Sequence, residues 1–221
     1  MDEDKTHVYL MPGMAAGPNI FEYIKLPENK CILHYMEWIM PERNESLPQY
    51  VLRISAFITH KNPVLIGVSF GGILVQEISK LIKVKKLIII SSIKHKDELP
   101  RRMKWAKITG TYTLLPTKLA GHVDFLSKFL YGKNVNKRLE LYKKYLSVND
   151  NHYLKWVIKQ TLCWEQTEWP VNIIHIHGDR DTVFPIKNIK NTITVKGGTH
   201  AMIIYKYKWF NENLPHLILE N

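Results

Sequence analysis

The chain has 221 residues, 45% of them hydrophobic and 23% charged, with 11 Gly and 11 Pro, a make-up that excludes disorder, collagen-like repeats and a disulfide-stapled mini-protein. Its two cysteines, Cys31 and Cys163, are too few for a stapling framework and suit a reducing compartment. The formal charge is +11, and residues 94–168 alone hold fifteen Lys and Arg against seven Asp and Glu, so the basic surplus is concentrated in one third of the chain.

The first residues, Met1-Asp2-Glu3-Asp4-Lys5, are acidic where a secretory signal is basic and then apolar, and no apolar run approaches 18 residues. A cytoplasmic protein with no membrane span is expected. Downstream, short β-rich apolar runs at 7–11, 31–38, 63–68, 84–91, 171–177 and 191–195 predict six strands. Runs such as Val64-Leu65-Ile66 and Leu87-Ile88-Ile89-Ile90 have no polar alternation, as in parallel strands covered on both faces. Between them, 47–60 and 73–82 carry apolar residues at helical spacing; in the second, Ile73, Leu74, Ile78, Leu81 and Ile82 form one stripe. After Ser92 the alternation stops. From Lys94 to Glu168 the pattern is helical, with helices expected near 97–107, 122–131, 135–147 and 151–164. A crossover needs far fewer residues, so 94–168 is read as a helical cap inserted into a core of 1–93 and 169–221. A last helix is expected over 201–211.

The strongest local signal is Gly67-Val68-Ser69-Phe70-Gly71-Gly72, where the third strand gives way to a helix. A serine on such a turn is held clear of both elements, and the chain segments approach so closely that small residues are needed two positions either side. Gly67 and Gly71 supply them. A serine nucleophile needs a base and a group that orients the base. Ten histidines compete; His200 stands out in Lys196-Gly197-Gly198-Thr199-His200, a glycine-rich loop after the last strand. For the acid, His177-Gly178-Asp179-Arg180-Asp181 leaves the fifth strand and offers two carboxylates, Asp179 and Asp181.

The whole pattern, G-x-S-x-G, then G-D-x-D-x-x-x-P, then G-G-x-H, each at the end of a strand in the order Ser, Asp, His, resembles the α/β-hydrolase family over essentially the full chain. That resemblance implies a doubly wound α/β fold with strand order 2-1-3-4-5-6 and two fewer strands than the usual eight. It implies Ser69 as nucleophile, Asp181 rather than Asp179 as acid, and His200 as base, with Asp179 left as a turn former or loop anchor. Pro12-Gly13-Met14-Ala15 resembles the family's His-Gly-x-Gly oxyanion loop, with Pro12 in place of His and Ala15 in place of the second Gly. The implied oxyanion donors are the N–H groups of Met14 and Phe70.

Other readings are weaker. Gly13 to Gly17 does not fit G-x-G-x-x-G, and no G-K-[ST] follows. His175 and His177 alternate on one strand, a spacing that suits either a metal or packing beneath the acid loop. Lys133, Lys137 and Lys144 share a helical face, but no nucleic-acid module is recognisable. Trp105, Tyr112, Phe125, Phe129, Trp156, Trp164 and Trp169 are candidates for a substrate ceiling or for core of the inserted region. The expected activity is serine hydrolysis of a small-molecule carboxylic ester or thioester, with no metal or organic cofactor; the basic surplus gently favours an anionic substrate. Acyl transfer, carbon–carbon hydrolysis or lyase chemistry, and ligand binding without turnover are the competing functions.

Overall fold

A computed structural model describes residues 4–114 and 144–220. Six parallel strands, β1 (Thr6–Met11), β2 (Cys31–Tyr35), β3 (Val64–Val68), β4 (Lys86–Ile90), β5 (Ile173–Gly178) and β6 (Ile193–Val195), form one sheet in the order β2-β1-β3-β4-β5-β6. Each run of apolar residues became a strand, and the order is the one expected. The chain leaves β1 toward one edge and β3 toward the other, so a crevice opens between the carboxyl ends of β1 and β3.

Two layers close over the sheet. Within β1 the side chains alternate: Tyr9 and Met11 join the cluster containing Leu65, Leu87 and Ile89, while Val8 and Leu10 join that of Val64, Ile66, Ile88 and Ile90. The first face is covered by α1 (Leu47–Ser55), α2 (Phe70–Ile78) and α4 (Asn151–Cys163). On α1, Leu47, Tyr50, Val51 and Ile54 make the buried stripe, and the Gln49 side chain accepts the Ser46 N–H at the helix start. Helix α2 is buried on nearly all sides, which its continuous apolar sequence requires. The opposite face is covered by residues 18–26 and by α6 (Tyr207–Leu219), preceded by the single turn α5 (Met202–Tyr205).

Several helix bounds differ from expectation: α1 ends at Ser55 rather than 60, and the helix expected over 97–107 runs over Arg101–Thr109. Helix α2 starts at Phe70 rather than 73, directly from the turn after β3. The final helix runs past 211 and through Pro215 to Leu219, because Phe210, Leu214 and Ile218 continue a buried stripe whose packing outweighs the missing proline N–H.

Within residues 94–168, the helices α3 (Arg101–Thr109) and α4 are described. The middle, with the helix expected at 122–131 and most of that at 135–147, lies outside the described residues, as do Phe125, Phe129, Lys133 and Lys137. Tyr153, Leu154, Trp156 and Val157 of α4 pack in the same cluster as Leu65 and Ile73, so this helix covers the sheet on the way from β4 to β5. Trp156 and Trp164 are buried, whereas Trp105 is exposed. Among the described residues no helix is long and apolar enough to cross a membrane.

Candidate active site

Ser69 has φ 54° and ψ −119°, in the region that favours glycine and costs other residues about 1–3 kcal/mol. Neighbouring bonds hold it there. Its N–H donates to Ile90 O of β4 at 2.9 Å, and the Ser92 hydroxyl donates to its carbonyl at 2.7 Å. The glycines around it are required by contact: a Cβ at Gly67 would stand 2.3 Å from Gly71 O, and one at Gly71 2.3 Å from Pro12 O. The end of β3, the start of α2 and the loop after β1 therefore meet backbone to backbone.

The acid and histidine loops meet in the same way. A Cβ on Gly178 would lie 2.2 Å from Gly198 O, and the Arg180 N–H donates to that oxygen at 2.8 Å. Asp179 turns outward from β5 and its Oδ1 accepts the Gly197 N–H at 2.7 Å, anchoring the histidine loop. Asp181 is buried; its Oδ1 accepts the N–H groups of Val183 (2.8 Å) and Phe184 (2.9 Å), and its Oδ2 accepts His200 Nδ1–H at 2.9 Å. On the other side of the ring, His200 Nε2 accepts the Ser69 hydroxyl at 2.8 Å. Ser69, His200 and Asp181 thus stand in one continuous hydrogen-bonded line. Burial alone would raise the Asp181 carboxyl, but the charge and hydrogen bond of His200 outweigh it and hold the group below the usual aspartate range.

Behind Asp181, His177 donates Nε2–H to Phe184 O at 2.8 Å and lies 3.4 Å from Asp181 Oδ2. Its Nδ1 is 3.3 Å from His175 Nε2. Burial pushes His177 down and His175 well down, toward the neutral forms. The two rings support the acid loop from within the sheet.

The loop after β1 carries Met14, and the first residue of α2 is Phe70. Ala15, in place of the second glycine, adopts φ 63° with an l-side chain and is almost fully buried. The loop is secured from three directions. The indole N–H of Trp38 is shared between Gly13 O and Ala16 O, both at 3.0 Å; the Tyr153 hydroxyl accepts Ala15 N–H at 3.3 Å; and Ser147 N–H donates to Ala15 O at 2.9 Å. Trp38 also stacks on Phe70, which meets Trp156 edge-on. Sequence reasoning missed Trp38 and Tyr153 as loop anchors; the only signal was a polar-tipped aromatic that needs a partner when buried. The Lys144 ammonium is paired with Glu22 Oε1 at 2.5 Å.

No family model matches the sequence, and no curated protein matches it significantly. Solved structures match almost end to end. A hydrolase from Oleispira antarctica is 14% identical with a TM-score of 0.71, the match covering 98% of this chain and 92% of the other. An esterase from Exiguobacterium antarcticum is 18% identical with a TM-score of 0.62, over 97% and 92% of the two chains. A bromoperoxidase from Bacillus anthracis is 16% identical with a TM-score of 0.67, over 98% and 92%. The fold is that of the α/β-hydrolases. Because that fold carries more than one chemistry, the reaction has to be argued from the site.

Proposed function

We propose that this protein is a serine hydrolase of carboxylic esters or thioesters. Ser69 is the nucleophile, His200 the general base and acid, and Asp181 the group that orients the imidazole and balances its charge. The reading rests above all on the unbroken line from Ser69 Oγ to His200 Nε2 and from His200 Nδ1 to Asp181 Oδ2.

On this reading Ser69 Oγ attacks the acyl carbonyl carbon as its proton passes to Nε2, and the carbonyl oxygen becomes an oxyanion facing the N–H groups of Met14 and Phe70. The N–H of Phe70 opens α2, whose positive end favours that charge. His200 then gives its proton to the leaving alkoxide or thiolate, and an acyl-enzyme forms on Ser69. Water, deprotonated by the same nitrogen, attacks the ester; its collapse releases the carboxylic acid and returns the proton to Oγ. The esterase and hydrolase among the structural neighbours agree with this chemistry without fixing the substrate.

A fluorophosphonate probe tests the assignment. It should label the native protein and spare both Ser69→Ala and the heat-unfolded chain; equal labelling of native protein and variant refutes it. Running p-nitrophenyl esters beside acyl-CoA thioesters, with and without alcohol acceptors, separates ester from thioester hydrolysis and both from acyl transfer.

A further inference from the structure

Three histidines far apart in sequence meet on the sheet face near β2. His7 is the second residue of β1, His34 lies on β2 opposite Tyr9, and His60 is in the loop before β3. All three are half-buried, and one ring nitrogen from each lies within 4.8 Å of the other two. His7 Nδ1 and His34 Nε2 are 2.9 Å apart, and the His7 and His60 rings stack with centroids 3.5 Å apart. From His7 to the end of β1 beside Gly67 is four residues, roughly 13 Å of strand, so the cluster is separate from the Ser69 site.

We propose that His7, His34 and His60 bind a divalent transition-metal ion of the zinc class, clipping β1, edge strand β2 and the loop before β3 together. Three imidazoles are a ligand set that zinc, nickel and copper accept and that magnesium and calcium do not. Zinc–nitrogen bonds put tetrahedral ligand atoms about 3.3 Å apart, so His7 and His34 need open by only a few tenths of an ångström, while the His60 ring has to rotate off its stack on His7 to aim its lone pair at the ion. Outer support is present as well. The Tyr9 hydroxyl is 2.6 Å from His60 Nδ1 and accepts the Thr59 N–H at 3.2 Å, so it offers that nitrogen the outer partner that ligating histidines use and leaves Nε2 for the ion. A cavity of about 650 Å3 reaches His34 and His60 from one side and gives an ion an approach to the cluster.

Binding is measured on the full chain by calorimetric titration with Zn2+ at pH 7.5, with Mg2+ as control. One equivalent should bind with a Kd at or below about 1 µM, and zinc near one hundred times Kd should raise Tm by several degrees. His34→Gln and His60→Gln should each weaken binding at least tenfold and cut the thermal shift to about half or less while keeping the native circular dichroism. His60 is in a loop, so its variant carries the comparison if the strand variant fails to fold. Co2+ should acquire the intense visible bands of a tetrahedral nitrogen site in the native protein and lose them in the His60→Gln form. No saturable zinc binding, or stoichiometric binding undiminished in His60→Gln, overturns the proposal. None of these readouts depends on the chemistry at Ser69.

Discussion

In Asp181→Asn the backbone dictates how the new amide lies. The N–H groups of Val183 and Phe184, 2.8 and 2.9 Å from Oδ1, demand the carbonyl oxygen there, so the NH2 takes the place of Oδ2, 2.9 Å from His200 Nδ1. Two donors cannot face one another, and the ring responds by carrying its proton on Nε2 instead. That nitrogen then points an N–H at Ser69 Oγ, 2.8 Å away, and can accept nothing from it. The wrong tautomer in a Ser-His-Asp hydrolase lowers kcat about 10^4-fold. At 1.36 kcal/mol per decade, that is about 5.5 kcal/mol of transition-state stabilisation. Both backbone donors stay satisfied, so the fold should persist and KM should change little. The assay is p-nitrophenyl butyrate turnover, normalised to folded protein by circular dichroism. A variant keeping more than about one tenth of wild-type kcat/KM would refute the orienting role.

Four further outcomes are expected. Gly71→Ala puts a Cβ 2.3 Å from Pro12 O and 2.6 Å from Met11 O, fixed backbone that must retreat by about 1 Å, so the variant should lose nearly all activity or solubility in expression and turnover tests. Asp179→Asn, which alters only the anchor on Gly197, should cost kcat/KM far less than Asp181→Asn, and equal losses would reverse the choice between the two aspartates. Glu98 is fully buried and accepts N–H bonds from Lys94 (2.7 Å) and Lys190 (3.1 Å), so Glu98→Ala should lower unfolding free energy by about 2–4 kcal/mol in urea titration. Because Asp181 is held below its unfolded value near 3.9, its charge contributes stability above about pH 4 that is lost as pH falls through the lower folded value. The stability gap between wild type and Asp181→Asn should therefore narrow between pH 5 and 3; a constant gap contradicts this.

The strands were legible because a parallel sheet buried on both faces leaves uninterrupted apolar runs such as Leu87 to Ile90; their order was implied only by the resemblance that the Ser69, Asp181 and His200 motifs carry. The turn at Ser69 was legible because contacts of 2.3 Å admit only glycine at 67 and 71. What escaped was decided by partners distant in the chain. The left-handed turn at Ala15 has no signal beyond the glycine it replaces in the resembled loop, and the bonds from Trp38, Tyr153 and Ser147 that hold it come from elsewhere in the chain. The continuation of α6 beyond Asn211 was hidden by Pro215, whose local penalty is overridden by the packing of Leu214 and Ile218. His7, His34 and His60 have no spacing in common, because strand pairing and a loop bring them together rather than one helix or turn.

The contact between Gly178 and Gly198 makes the two loops a single mechanical part. Aspartate and imidazole are carried on that part, whereas the serine belongs to another, the tail of β3 welded to the head of α2. An engineer transplanting a new acid loop onto this scaffold would have to bring its histidine loop along with it, since neither can be refitted alone.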